Sequence, residues 1–224
     1  MWQNYVFLTL LFLVASPFIV SAQHVQGWGI YFGNTALGKS KFSVHHELQL
    51  RDYKMVGDHQ QTLLRVGLQY QALPSTSFTL GYGYIYTEAE GTPNLPFSEN
   101  RIYQEALMKH RIDIVRLRHR FRAEERFMPQ GKFRGRGRYC LFIDVPFTQR
   151  QMGEGEIYAA FYDEIFLNAF DDKLDVFDRN RLYGGLGYKL KDNLGLQLGY
   201  MRQHVGKLPG TDHILFSVHH QLRF

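Results

Sequence analysis

The 224-residue sequence holds a single cysteine, Cys140, so no intramolecular disulfide is possible. An exported chain without disulfides must be held by its hydrogen-bond ladder and by packing or lipid contact. Long hydrophobic runs are also missing. After Ala22 no apolar stretch approaches 18 residues, which excludes a transmembrane helix there. A membrane crossing by the remaining chain could then be made only as a closed barrel. Charge is absent from the first 22 residues, where Val6 to Val20 is almost unbroken apolar and is interrupted by Pro17. That run is short for a spanning helix, and it ends in the small residues of Val20-Ser21-Ala22. Residues 1–22 therefore read as a signal peptide cleaved before Gln23, although the usual basic start is missing. Residues 23–224 read as one barrel domain, and with Gln at position 23 lipoprotein processing is not indicated.

The net charge of +5 invites a nucleic-acid reading. The positive residues, however, alternate with apolar ones instead of clustering on one helix or arm, so nucleic acid is not an expected partner.

What is present from Trp28 onward is alternation with period two, the mark of a strand with two unlike faces. Phe42, Val44, His46, Leu48 and Leu50 share one face; Ser43, His45, Glu47, Gln49 and Arg51 share the other. Leu117, His119, Phe121 and Ala123 oppose Arg116, Arg118, Arg120, Arg122 and Glu124. The same alternation recurs through 64–70, 78–87, 138–147, 181–189, 194–200 and 214–224, and no segment carries an amphipathic helix pattern. The fold class is all-β. Eleven segments qualify as strands: 28–36, 41–52, 60–72, 78–89, 101–113, 115–127, 136–147, 157–169, 179–190, 194–203 and 213–224. Many are longer than the ~5–6 residues usual in soluble sheets and suit a tilted membrane crossing.

The connections alternate between two classes. Gly38-Lys39, Pro74-Ser75, Asp113-Ile114 and Lys191-Asp192-Asn193 are tight, with Thr148 to Glu156 a looser member. Glu90 to Asn100, Met128 to Gly135, Phe170 to Asp178 and His204 to Asp212 are longer. Short turns on one side and long loops on the other is the layout of outer-membrane barrels, and it puts the C-terminus on the periplasmic side. Single-chain bacterial barrels usually have an even number of strands. The expectation is thus an antiparallel transmembrane β-barrel of 10–12 strands with a charged lumen, in which 28–36 is not a full wall strand or one strand is missed or split.

Alternation alone does not say which face points inward. A soluble can would bury the Leu/Val/Tyr face. The crowding of arginines and glutamates on the polar face suits a barrel interior, and aromatics make up 15% of the chain. Trp28, Tyr53, Tyr86, Phe127, Phe147, Phe170 and Tyr188 fall near strand ends, where interfacial girdles belong. Phe224 as the last residue resembles the C-terminal signature read by the outer-membrane assembly machinery. The expected location is the bacterial outer membrane, with its lipid and, during biogenesis, the barrel assembly machinery as partners.

At Arg118-His-Arg-Phe-Arg-Ala-Glu-Glu-Arg126, Tyr162-Asp-Glu164 and Asp178-Arg-Asn-Arg-Leu-Tyr-Gly-Gly-Leu-Gly-Tyr188 the chain resembles an uncharacterised bacterial outer-membrane family classified as a domain of unknown function. That family is found mainly in Bacteroidetes and Proteobacteria. Its members carry an RxRxExR strand, then YDE, then DxNRxxxGLGY. The resemblance implies the barrel and the compartment, and no activity.

On a strand, Arg116, Arg118, Arg120, Arg122 and Glu124 would form a ladder at about 6.6 to 7 Å spacing. Bare, it would repel itself. Glu47, Glu105, Asp144 and Glu164 are the expected partners, with Arg51, Arg138 and Arg181 adding to the network. Two readings stand: paired charges that fill and brace the lumen, or a porin-like, positively lined passage for small anionic solutes. Cys140 reads as a small lumen filler, and Asp163, stranded on the apolar face, as a residue at a bulge.

Phe42-Ser-Val-His-His46 reappears as Phe216-Ser-Val-His-His220. Closure of first wall strand on last would bring the two segments together, with His45 and His219 inward. Two histidines fall short of the four ligands of structural zinc, so no metal or cofactor is expected. A hydrolase built on Ser43, His45 and Glu47, or on Ser217 and His219, meets the ~7 Å separation of residues i and i+2, beyond the ~2.6–3.2 Å that a nucleophile and base require. The leading expectation is a structural barrel or narrow channel, not an enzyme. Loop-mediated binding or adhesion and a lipid-modifying enzyme are the alternatives.

Overall fold

The computed structural model describes residues 25–148, 151–170 and 174–223; the proposed signal peptide, its cleavage point and Phe224 lie outside the described residues. Eleven strands follow one another: β1 (Val25–Ala36), β2 (Phe42–Asp52), β3 (His59–Leu73), β4 (Thr76–Thr87), β5 (Phe97–Ile112), β6 (Val115–Phe127), β7 (Phe133–Pro146), β8 (Ile157–Ala169), β9 (Phe177–Lys191), β10 (Leu194–Val205) and β11 (Thr211–Arg223). Each pairs with its neighbours in sequence, and β1 closes on β11 to complete a barrel.

The odd strand number is resolved at that seam. Ten neighbouring pairs are antiparallel, whereas β1 and β11 run parallel, with Val25 opposite Asp212 and Ala36 opposite Arg223. In an up-and-down barrel of eleven strands the first and last must point the same way. Residues 25–36 are therefore a full wall strand, and the wholly antiparallel expectation is corrected at this one pair.

Alternate connections share a rim. The tight ones, around Gly38, Pro74-Ser75, Asp113-Ile114 and Asp192-Asn193, form a turn rim, together with 147–148 and 151–156 of the connection between β7 and β8. That longer member is tied down by Glu156, whose Oε1 accepts the amides of Phe147 (2.7 Å) and Thr148 (2.8 Å). The opposite, loop rim carries 53–58, 88–96, 128–132, 174–176 and 206–210.

The two faces of the wall divide as the alternation requires. Outside, Leu64, Leu80, Ile102, Phe121, Phe161, Leu186, Leu198 and Phe216 form an exposed apolar surface running round the barrel, with Leu80 61% and Leu198 59% exposed. Aromatic residues cluster towards its margins, as in Phe42 with Tyr70 (centroids 5.1 Å) and Phe127 with Phe133 (5.5 Å). Asp163 lies on this face in regular register with Leu141 and Leu182, accepting a hydrogen bond from Asn180 Nδ2 at 2.5 Å. The bulge expected there falls instead at Phe166/Leu167.

Inside are the arginines and carboxylates of the expected network, together with Trp28. Trp28 is buried, with Arg51 3.9 Å and Arg181 4.9 Å from its ring centroid, so its assignment to a girdle is corrected. Its place near the start of β1 resembles a girdle position, but its parity is that of Ile30, and Ile30 and Phe32 line the lumen.

Candidate functional site: the charged lumen

Strand β6 carries the ladder read from the sequence, and its neighbours in the wall supply the counter-charges. Arg118 pairs with Asp144 of β7 (3.0 Å), Arg120 with Glu164 of β8 (2.6 Å) and Arg122 with Glu105 of β5 (2.5 Å). Arg138 reaches Glu164 at 2.6 Å, and Arg181 lies 3.8 Å from the same carboxylate. Cys140 is buried in this wall, in register between Arg120 and Glu164.

Glu124 is the hub. Its carboxylate meets Arg136 at 2.5 Å and Arg138 at 2.7 Å, with Arg65, Arg101 and Arg122 at 3.5, 3.7 and 3.9 Å. Glu99 holds Arg101 (2.7 Å) and Arg126 (2.6 Å), and Asp178 holds Arg179 (3.0 Å) and Arg136 (3.4 Å). Planar guanidinium forks suit such shared carboxylates, since each fork presents five donors in fixed geometry. Arginines also pack on rings: Arg138, Arg181, Arg136 and Arg179 lie 4.5, 4.7, 5.2 and 5.8 Å from the Phe166 centroid. With buried Leu63 and Ile85, this cluster fills the half of the lumen nearer the loop rim.

The other half is open. A cavity of about 990 Å³ extends inward from the turn rim, from Lys41, Lys109 and Arg116 at its mouth to Arg51, Arg65 and Arg181 at its floor. Its walls differ. Ile30 and Phe32 of β1, Leu215 of β11 and Tyr158 of β8 contribute apolar lining, while cations come from β2, β3, β5, β6, β7 and β9, with those of β5 and β6 across the lumen from β1.

All twelve residues expected in the network face the lumen. Glu47 does not meet the β6 ladder directly; it pairs with Arg65 at 2.8 Å and accepts a hydrogen bond from Gln49. Arg51 has no carboxylate partner among the described residues, donating instead to Gln61 (2.8 Å) and Gln49 and stacking on Trp28. Arg116 likewise has none, because its cross-strand neighbour Asp144 is held by Arg118. Sequence reasoning missed Arg65, Glu99, Arg101, Arg126, Arg136 and Asp178 as network members. The parity of Arg65 and Arg136 could have revealed them, whereas Glu99 lay outside the strand drawn from residue 101.

The repeated segments straddle β1. Gly33 is the register partner of both His46 and His220, while His45 pairs with Asn34 and His219 with Phe32. His45 and His219 point inward as expected. Ser217 Oγ lies 3.0 Å from His219 Nε2, which corrects the objection from strand spacing: both side chains lean together along the strand. Ser43 instead contacts Gln69 at 3.2 Å.

A closed β-barrel with an interior of paired arginines and glutamates defines the class of protein. The chain belongs to the family described as "Protein of unknown function (DUF2490)", which matches residues 25–213. No curated protein and no solved structure matches the chain.

Proposed function

We propose that this chain is an outer-membrane β-barrel whose lumen is shut on the loop side by its Arg–Glu cluster, a structural, non-conducting barrel in its resting state. One observation carries the reading: the wall is apolar outside and charged inside. A soluble barrel packs its apolar face inward and rarely exposes contiguous apolar patches beyond a few hundred Å², whereas lipid is the natural partner of a surface on which leucine, tyrosine and phenylalanine encircle the wall. The backbone suits such a surface, because a closed ladder leaves no strand edge unpaired in hydrocarbon.

Packing supports the closure. A water-filled path would leave the central side chains wet, but Glu124, Glu99, Arg101 and Arg136 are buried in one another's hydrogen bonds. The test joins fractionation of expressing Gram-negative cells with planar-bilayer recording of the refolded chain. Recovery in the outer membrane and an absence of steady conductance are the expected results. Recovery in the soluble periplasm would overturn the location, and steady anion-selective current would overturn the closed lumen in favour of a channel.

A further inference from the structure

The turn-rim cavity gathers cations that no carboxylate answers among the described residues. Twelve lysines and arginines line it against four carboxylates, Glu47, Glu105, Asp144 and Glu164, although Arg65, Arg122 and Arg138 also meet Glu124 and Arg111 is not without a partner. Each of the four is already held by an arginine at 3.0 Å or less. Lys41, Lys109 and Arg116, towards the mouth, have no carboxylate within 4.0 Å among the described residues. Lys189 donates to the backbone carbonyl of Asp192 at 2.8 Å and has no carboxylate within 4.0 Å among the described residues. Uncompensated cations gathered at a concave, low-dielectric surface focus a positive field and raise the local concentration of anions.

Charge alone would suit any anion; the opposite wall narrows the choice. Phe32 presents partly exposed apolar surface to the same space, stacked on His219 at 5.0 Å and backed by the buried Ile30, Leu215 and Tyr158. Pockets of 300–1,000 Å³ that combine apolar lining with a few convergent polar groups are the usual form of a small-molecule site. The volume here, about 990 Å³, falls at the upper end of that range. We infer that this cavity binds an organic anion with a phosphate or carboxylate head and an apolar body, the head held by Lys109 and Arg116 and the body laid on Phe32. The inference rests on the lumen being closed from the loop side, which makes the cavity a pocket and not a passage.

The test is calorimetric titration of the full chain in phosphatidylcholine nanodiscs, with empty discs as reference. 1-Naphthyl phosphate and 1-naphthoate are the probes that separate phosphate from carboxylate heads; inorganic phosphate and 1-naphthol each carry half of the ligand. At least one naphthyl anion is expected to bind about tenfold more tightly than either half, and more weakly as salt rises. The double variant Lys109→Gln/Arg116→Gln removes two unpaired rim charges, so the barrel should keep its heat-modifiable mobility on gels. It should lose about tenfold in affinity for the anionic probe and nothing for naphthol. Absence of binding by the folded chain, equal affinity for naphthol, or unchanged affinity in the double variant would each overturn the anion site. Equal affinity for inorganic phosphate would overturn the apolar half. A barrel that conducts yet binds the probe fails only the closed-lumen reading; a silent barrel that binds nothing fails only this one.

Discussion

His46 and His220 approach Gly33 from its two sides, each its register partner, so the repeated pentapeptides frame β1. Tyr31 fills the space between, stacked on His46 at 5.7 Å with its hydroxyl 3.4 Å from His220 Nδ1. The arrangement needs a bare position 33, because a Cβ there would stand 1.9 Å from His46 Cε1. Gly33→Ala should cost about 1–3 kcal/mol, the usual range for overpacking. Adding His46→Ala should recover most of that loss, as measured by urea unfolding in micelles through a double-mutant cycle. Simple additivity of the two losses would show that glycine serves the strand backbone and not the ring.

Glu124 is the single carboxylate on which Arg65, Arg101, Arg122, Arg136 and Arg138 converge. Glu124→Gln leaves those guanidiniums buried around a neutral amide, and loss of a buried partner costs about 3–5 kcal/mol. Asp144→Asn should cost less, since Asp144 faces one partly exposed arginine, Arg118. Unfolding midpoints of the two variants should fall in that order; equal shifts would mean that water reaches Glu124.

Phe166 serves four guanidiniums at once. Phe166→Leu keeps an apolar side chain and removes the ring face, so the expected loss is about 1–2 kcal/mol, the scale of desolvated cation–π contact. A Leu variant as stable as the parent would reduce the ring to a filler.

Ser217 and His219 stand at a distance suited to a nucleophile and base. No carboxylate among the described residues orients the imidazole, which stacks on Phe32. A fluorophosphonate probe is expected to leave Ser217 unlabelled, and Ser43→Ala and Ser217→Ala should leave envelope lipids unchanged. Labelling at Ser217 would revive the lipid-modifying enzyme.

Much of this was legible from alternation. A period of two specifies which residues share a face, and the two unlike faces of β2 and β6 fall where the pattern puts them. The contrast between tight and long connections likewise separated the two rims. Trp28 escaped because a strand-end aromatic satisfies a girdle pattern as well as a lumen one, and only its parity with Ile30 separates them. The Glu124 hub escaped for a different reason. Arg65 reaches it from β3 and Arg101 from β5, so their convergence depends on barrel curvature and side-chain length, which a linear pattern does not encode. The cavity is legible in no local pattern at all, being the space left over when one half of the lumen is packed.

The parallel seam has a consequence for the chain as a whole. Val25 starts at the loop rim beside Asp212, and Arg223 finishes at the turn rim beside Ala36. A polypeptide that makes an odd number of passes enters on one side and leaves on the other. Seated in a bilayer, this barrel would hold its two ends in different compartments, and a fusion partner placed before β1 would face surroundings that one placed after β11 never meets.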